Sequence, residues 1–158
     1  MAHTQLDQLD VKILQMMSGN ARKPFLEIAR ECGVSGAAVH QRIGKLQSSG
    51  VIKGTEMLVE PSAIGYDTCA YMGFFLKDPA SFKDVIEKLR EIPEVVECHF
   101  TTGQYDLFIK VFARNNDHLL HLIHEKLQNL GLSRTESLIS FKEVFKRPLP
   151  VDDSIARD

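Results

Sequence analysis

The sequence predicts an α+β fold in two parts, a small all-helical unit followed by a larger domain of strands and helices. Three observations carry this. Apolar residues recur at spacings of three and four in three short segments before residue 50. Alternating and aromatic-rich segments begin only after Thr68. Between the two, Pro61 and Gly65 mark a turn or hinge.

Leu6, Leu9, Ile13 and Met17 lie on one face of a first helix, which Ser18-Gly19-Asn20 ends. Lys23-Pro24 opens a second, with proline suited to the first helical position, and Phe25, Ile28, Ala29 and Cys32 form its apolar side. Gly33 suits the position just past a helix C-terminus, and the Ser35 hydroxyl can cap the next helix. That third helix, about 36–48, turns Val39, Ile43 and Leu46 inward and stops at Gly50. Two short helices joined by a tight turn containing glycine form a helix-turn-helix. In such a motif the second helix lies in the major groove of DNA. Residues 1–50 are therefore expected to form a winged-helix-like, three-helix DNA-binding domain.

Charge agrees with that expectation. The chain carries a net charge of −2, yet between Asn20 and Thr55 six basic residues face only two acids, Glu27 and Glu31. A basic segment in an acidic chain is the footprint of a polyanion-binding module, or a solvated face. On the third helix Ala37, Gln41, Gly44, Lys45 and Ser48 are expected to face outward, flanked by His40 and Arg42. Gln41 can pair with an adenine edge, Arg42 or Lys45 can reach guanine or phosphate, and Ala37 can touch a thymine methyl. The candidate DNA contacts are Arg22, Ser35, Ala37, His40, Gln41, Arg42 and Lys45. The alternative is a helical hairpin with a polar solvent face.

Residues 51–67 are expected to form an extended linker and hinge. Beyond it, 68–77 is strand-like. Asp78-Pro79 opens a helix with Phe82, Val85, Ile86 and Leu89 on one face, ended by Pro93. Strands are expected at 95–102 and 105–113, a helix at 115–130 and a last strand at 134–145. This order is the ferredoxin-like βαββαβ motif. It occupies 68–147 and leaves 148–158 as a C-terminal tail. Helices cover one sheet face. On the other, Phe108 and Phe112 oppose the set of Tyr105, Leu107, Ile109 and Val111, so both faces are partly apolar. An apolar sheet face of that size calls for a partner, most simply a second copy of the chain. A homodimer would offer two recognition helices to a palindromic site, with half-sites about 34 Å apart or a multiple of that.

Several separated motifs occur in order. They are Leu6-Asp7-x-x-Asp10-x-Lys12-Ile13-Leu14, Asn20-Ala21-Arg22 and Val39-x-x-Arg42-Ile43-x-x-Leu46-x-x-x-Gly50-Val51-Ile52, then Pro61-x-x-x-Gly65-Tyr66 and Thr101-Thr102-Gly103-x-Tyr105-Asp106. Together they resemble the Lrp/AsnC (leucine-responsive, feast-famine) family of transcription regulators, over about 6–146. The chain departs from the family at Gly44, where members often carry another basic residue. Glycine there costs roughly 1 kcal/mol of helix propensity against alanine. It also departs at the small Gly36-Ala37-Ala38 run. The resemblance implies a sequence-specific DNA-binding transcription regulator. Its second domain would assemble dimers into tetramers or octamers and bind a free amino acid between subunits.

The candidate effector site is the turn Thr101-Thr102-Gly103-Gln104-Tyr105-Asp106. Gly103 lets backbone N–H groups approach a ligand closely, and Asp106 offers a carboxylate to an ammonium group. By resemblance, Thr135 and Ser137 on the last strand are candidates for further ligand contacts. They are two apart and so face the same side. The competing reading of the turn is a plain hairpin whose backbone Asp106 caps.

Other classes find no support. No apolar run spans a bilayer, and the N-terminus has no basic stretch followed by an apolar core, so neither a membrane span nor a signal peptide is expected. Cys32, Cys69 and Cys98 are odd in number and form no CxxC pair, so neither a disulfide framework nor a cysteine zinc site is expected. A cytoplasmic protein fits. There is no GxSxG, no glycine-rich phosphate loop and no paired Cys-His signature, so no enzyme and no cofactor beyond an amino-acid effector are expected. His118, His121 and His124 sit opposite the stripe of Leu119, Ile123, Leu127 and Leu130 and are read as surface or interface residues. Two alternatives stand beside the gated regulator. One is a ligand-independent architectural DNA-binding protein. The other is an amino-acid-sensing oligomer acting on a protein partner, which Gly44 and the Gly36-Ala37-Ala38 run keep open.

Overall fold

Asp7 starts the first helix with a capping box. Its carboxylate accepts from the Asp10 N–H at 2.8 Å, and the Asp10 carboxylate accepts from the Asp7 N–H at 3.3 Å. In the computed structural model, which describes residues 4–157, this helix, α1, runs Gln8–Gly19. α2 is Phe25–Cys32. Pro24 sits one position earlier than expected, as an extended N-cap. Gly33 ends α2 in the left-handed conformation at φ 69°. α3 is Gly36–Ser48, and the Ser35 hydroxyl accepts from the Ala38 N–H at 3.1 Å. Ile13, Ile28, Ala29, Val39 and Ile43 from the three helices bury one another.

The chain divides into two compact units. The first takes the residues up to Met57 together with those from Phe145 onward, and the second takes Leu58–Val144. The chain therefore leaves the helical unit at residue 57 and returns to it after residue 144. Residues 148–158, expected as a tail, include a short 3₁₀ turn, Asp153–Ile155, that lies against α1.

The second unit is a four-stranded antiparallel sheet with helices on one side. Its elements are β1 Thr68–Leu76, α4 Phe82–Arg90, β2 Val95–Phe100, β3 Leu107–Ala113, α5 Asn116–Leu122 and β4 Leu132–Ser140. The strand order β2-β3-β1-β4 with this connectivity is the ferredoxin-like arrangement. Ala70, Met72, Phe74, Leu107, Ile109 and Val111 form the buried sheet face under Val85, Leu89, Leu119 and Leu122.

Three elements differ from expectation, each for a visible reason. β4 ends at Ser140 rather than 145, because Ser140 stands opposite Cys69 and β1 begins one residue before that. β3 starts at Leu107, since Tyr105 and Asp106 are drawn into the preceding turn. The helix expected over 115–130 changes after Leu122 into a π turn, Ile123–Leu127, and a 3₁₀ turn, Gln128–Leu130. The wider turn shifts the stripe: Leu122 is buried, Ile123 only partly, and Leu127 and Leu130 remain in the core.

The other sheet face is aromatic. Tyr71 stacks on Phe108 at 5.9 Å and Phe108 on Tyr105 at 5.8 Å, while Phe75 meets Tyr105 edge-on. Lys110 lies among them, only 7% exposed, with Glu97 and Glu143 each 3.7 Å from its ammonium. Among the described residues no helix is long and apolar enough to cross a membrane.

Candidate functional site

The geometry of α2 and α3 follows from their caps. Gly33 and Ser35 turn the chain between them, and burial of Val39, Ile43 and Leu46 fixes which side of α3 faces in. Ala37, His40, Gln41, Gly44, Lys45 and Ser48 are exposed on the remaining surface. A Cβ placed on Gly44 would meet no atom within 4 Å, so packing does not demand glycine there. His40 leans edge-on against Phe25 at 5.9 Å. Arg22 is exposed, and its backbone N–H is held by Asn20 Oδ1 at 3.0 Å. Ser35 is exposed, but its oxygen already serves as the helix cap.

Arg42 is a correction. It does not join the outward set. Its guanidinium turns back to α1, donating to the Asp7 carboxylate and, at 3.1 Å, to Asp10 Oδ1. Asp10 is 1% exposed, so its carboxylate needs a charged partner, and Arg42 is that partner. In this position the residue ties α3 to α1.

The 101–106 turn is also partly used up by its own backbone. Thr101 Oγ1 donates to the Tyr105 carbonyl at 2.7 Å, and the Thr101 N–H reaches the Asp106 carbonyl at 3.2 Å. Asp106 is a second correction. Its carboxylate accepts from the Leu76 N–H at 2.8 Å, and its own N–H donates to the Phe74 carbonyl. It fastens the turn to β1, which is the hairpin reading of this residue. Thr102, Gly103 and Gln104 stay exposed, with Gly103 at φ 107°.

What gathers at the turn comes from β4. Tyr105 donates its hydroxyl to Glu136 Oε2 at 2.6 Å, and Gln104 Nε2 reaches the same carboxylate at 3.3 Å. The hydrogen bond to Glu136 pushes the Tyr105 phenol above its ordinary pKa. Arg134 pairs with the far side of Glu136 and lies over the Phe75 ring at 5.4 Å. Gly73 makes room for this: a Cβ there would stand 2.3 Å from the Tyr105 ring.

Thr135 and Ser137 are not part of this group. They pair with Phe74 and Met72, core residues of the helix-covered face, whereas Glu136 pairs with Gly73 and takes the opposite face. Glu136 is thus the residue missed in sequence. The alternation along β4 holds the signal, because the partners of Tyr105 must share its face, and that face carries Arg134 and Glu136.

The three histidines do not converge. His118 Nδ1 accepts from the Arg114 N–H, His121 meets Glu125 at 3.0 Å, and His124 meets Gln128. No metal-ligand cluster forms among the described residues.

Residues 69–150 match the family model of the Lrp/AsnC ligand binding domain. Residues 6–53 match that of winged helix-turn-helix DNA-binding. The chain belongs to the Lrp/AsnC family. Regulatory protein AsnC of Haemophilus influenzae is 37% identical over 145 residues, covering 91% of this chain and 97% of its own. The transcriptional regulator Ptr1 of Methanocaldococcus jannaschii is 35% identical and covers 91% and 99%. The solved structure of Escherichia coli AsnC superposes with a TM-score of 0.85 at 36% identity, over 91% of this chain and 97% of that one. As a Lrp/AsnC protein the chain is a DNA-binding transcription regulator with a ligand-binding second domain.

Proposed function

We propose that a free amino acid, bound at the 101–106 turn, sets the DNA affinity of this regulator. The observation that supports this reading is the meeting of Gln104, Tyr105 and Glu136 beside the exposed backbone of Thr102, Gly103 and Gln104. Glu136 takes the ligand's ammonium as a charge-assisted hydrogen bond, and the exposed N–H groups take its carboxylate. A regulator of the same fold from Neisseria meningitidis, 24% identical with a TM-score of 0.86, was solved as a complex with L-Met.

In this reading Ala37, His40, Gln41 and Lys45 of α3 meet DNA in the major groove, with Arg22 and Ser35 at its border. The aromatic sheet face joins copies of the chain into dimers, and these into tetramers or octamers. The protein works in the cytoplasm, away from membranes, without catalysing a reaction or holding a further cofactor.

A thermal-shift screen against the twenty amino acids tests the effector. A ligand at a hundred times its Kd stabilises the folded state by about 2.7 kcal/mol. Glu136→Gln should weaken that ligand by about tenfold or more. If no amino acid moves the transition, the reading fails. The ligand-independent, architectural alternative draws support from Thr101 and Asp106, whose polar groups are satisfied within the chain. DNA affinity indifferent to every amino acid selects it.

A further inference from the structure

After Ser140 the chain runs without regular structure to Asp152, which caps the Asp153–Ile155 turn by accepting from the Ser154 N–H at 2.9 Å. This turn packs on α1. Gln15 Nε2 donates to Asp153 Oδ1 at 3.0 Å, and the Arg157 N–H donates to the Leu6 carbonyl at 2.8 Å. Leu6 directly precedes Asp7, the cap of α1 and a partner of Arg42. The segment lies beyond both matched ranges, which end at residues 53 and 150.

We propose that residues 151–157 form a strap that braces the recognition helix through α1. The strap holds the backbone at Leu6, which fixes where Asp7 stands. Asp7 and Asp10 then hold the Arg42 guanidinium, and Arg42 fixes how α3 presents Gln41 and Lys45. The chain of contacts is short: a hydrogen bond to Leu6, the peptide bond from Leu6 to Asp7, and the ion pairs of Arg42. The strap itself is lightly held. Asp153 and Ser154 are exposed, Ile155 is 40% exposed, and among the described residues Gln15 and the Leu6 carbonyl hold it by hydrogen bonds. An element with so little buried surface opens locally without unfolding the unit beneath it. The strap is a releasable brace on DNA binding: docked, it keeps α3 in one orientation, and released, it lets the first turn of α1 fray and Arg42 swing free.

Three forms of the full chain test this: the unaltered protein, a deletion of 151–158, and the double substitution Gln15→Ala with Asp153→Ala. Hydrogen exchange is followed at the Asp10 and Val11 amides, which bond to Asp7 Oδ1 and the Asp7 carbonyl. Affinity is measured for a random-sequence duplex at low salt. Both altered forms should exchange these two amides about tenfold faster and bind DNA about fivefold more weakly, with exchange in β1 and β3 unchanged. Unchanged exchange at Asp10 and Val11 overturns the strap. Faster exchange with unchanged DNA affinity overturns it equally, since the segment would then be packing alone. If the deletion also loses protection in β1 and β3, the double substitution decides.

Discussion

α3 and the turn between β2 and β3 carry the two candidate sites, and they expose side chains by opposite rules. On α3 the backbone period decides: once Val39, Ile43 and Leu46 face in, Gln41 and Lys45 must face out. At the turn the backbone consumes its own polar side chains, so Thr101 and Asp106 are bonded to the main chain, and the carboxylate that meets Gln104 and Tyr105 arrives from β4. A helical site can be read from one segment. A turn site has to be assembled across strands, and register sets its membership.

Arg42 and Lys45, three residues apart on α3, give the strongest way to break that comparison. Arg42→Ala strips the nearly buried Asp10 carboxylate of its cation and should cost the helical unit about 2–3 kcal/mol, read by chemical denaturation. It should leave the salt slope of DNA affinity where it was. Lys45→Ala should leave stability alone and reduce that slope by about 0.9. The reverse result would put Arg42 on the DNA after all.

Gly73→Ala probes the other rule. Its Cβ would stand 2.6 Å from Tyr105 Cγ, near the root of the side chain, so the ring must leave its place beside Phe75 and Phe108. A loss of about 1–3 kcal/mol is expected in thermal melting, together with loss of the Tyr105–Glu136 bond. Gly44→Ala acts in the opposite direction. With open space around it, the new methyl should stabilise α3 by about 1 kcal/mol, seen as a raised Tm.

The smallest effect is one of pH. The Asp7 carboxyl lies below its ordinary value of 3.8, chiefly because the Asp10 N–H donates to it and Arg42 stands beside it. A carboxyl depressed in the folded state stabilises fully above its ordinary value and loses that contribution as pH falls through the folded one. Stability of the helical unit should therefore weaken below about pH 4. Asp7→Asn should remove that component of the acid transition.

The sequence made the architecture legible because each element carries its own punctuation. Ser35 and the Gly36–Ser48 bounds of α3 followed from capping and the 3.6-residue period, and β1 from its aromatic run ahead of Asp78. What could not be read were choices made between distant segments. Arg42 looks like a surface residue on a helical wheel, and only the fold brings Asp7 and Asp10 within its reach. Thr135 and Ser137 share one side of β4, but a strand has two sides, and the register with Phe74 and Met72 puts Glu136, not them, on the side of Tyr105. The end of β4 was equally non-local, being set by where β1 begins.

The bond between Leu6 and Arg157 has a consequence for how the molecule is made. The sheet unit is an insertion inside the helical unit, entered after Met57 and left before Phe145. During synthesis α1, α2 and α3 emerge first, yet the segment that closes over α1 follows every strand of the sheet. Such long-range closure is slow by nature, because the intervening chain must be ordered before the contact can form. The part of the protein that is translated first therefore receives its last contact only after the whole sheet unit has been made, although α1, α2 and α3 already bury one another without it.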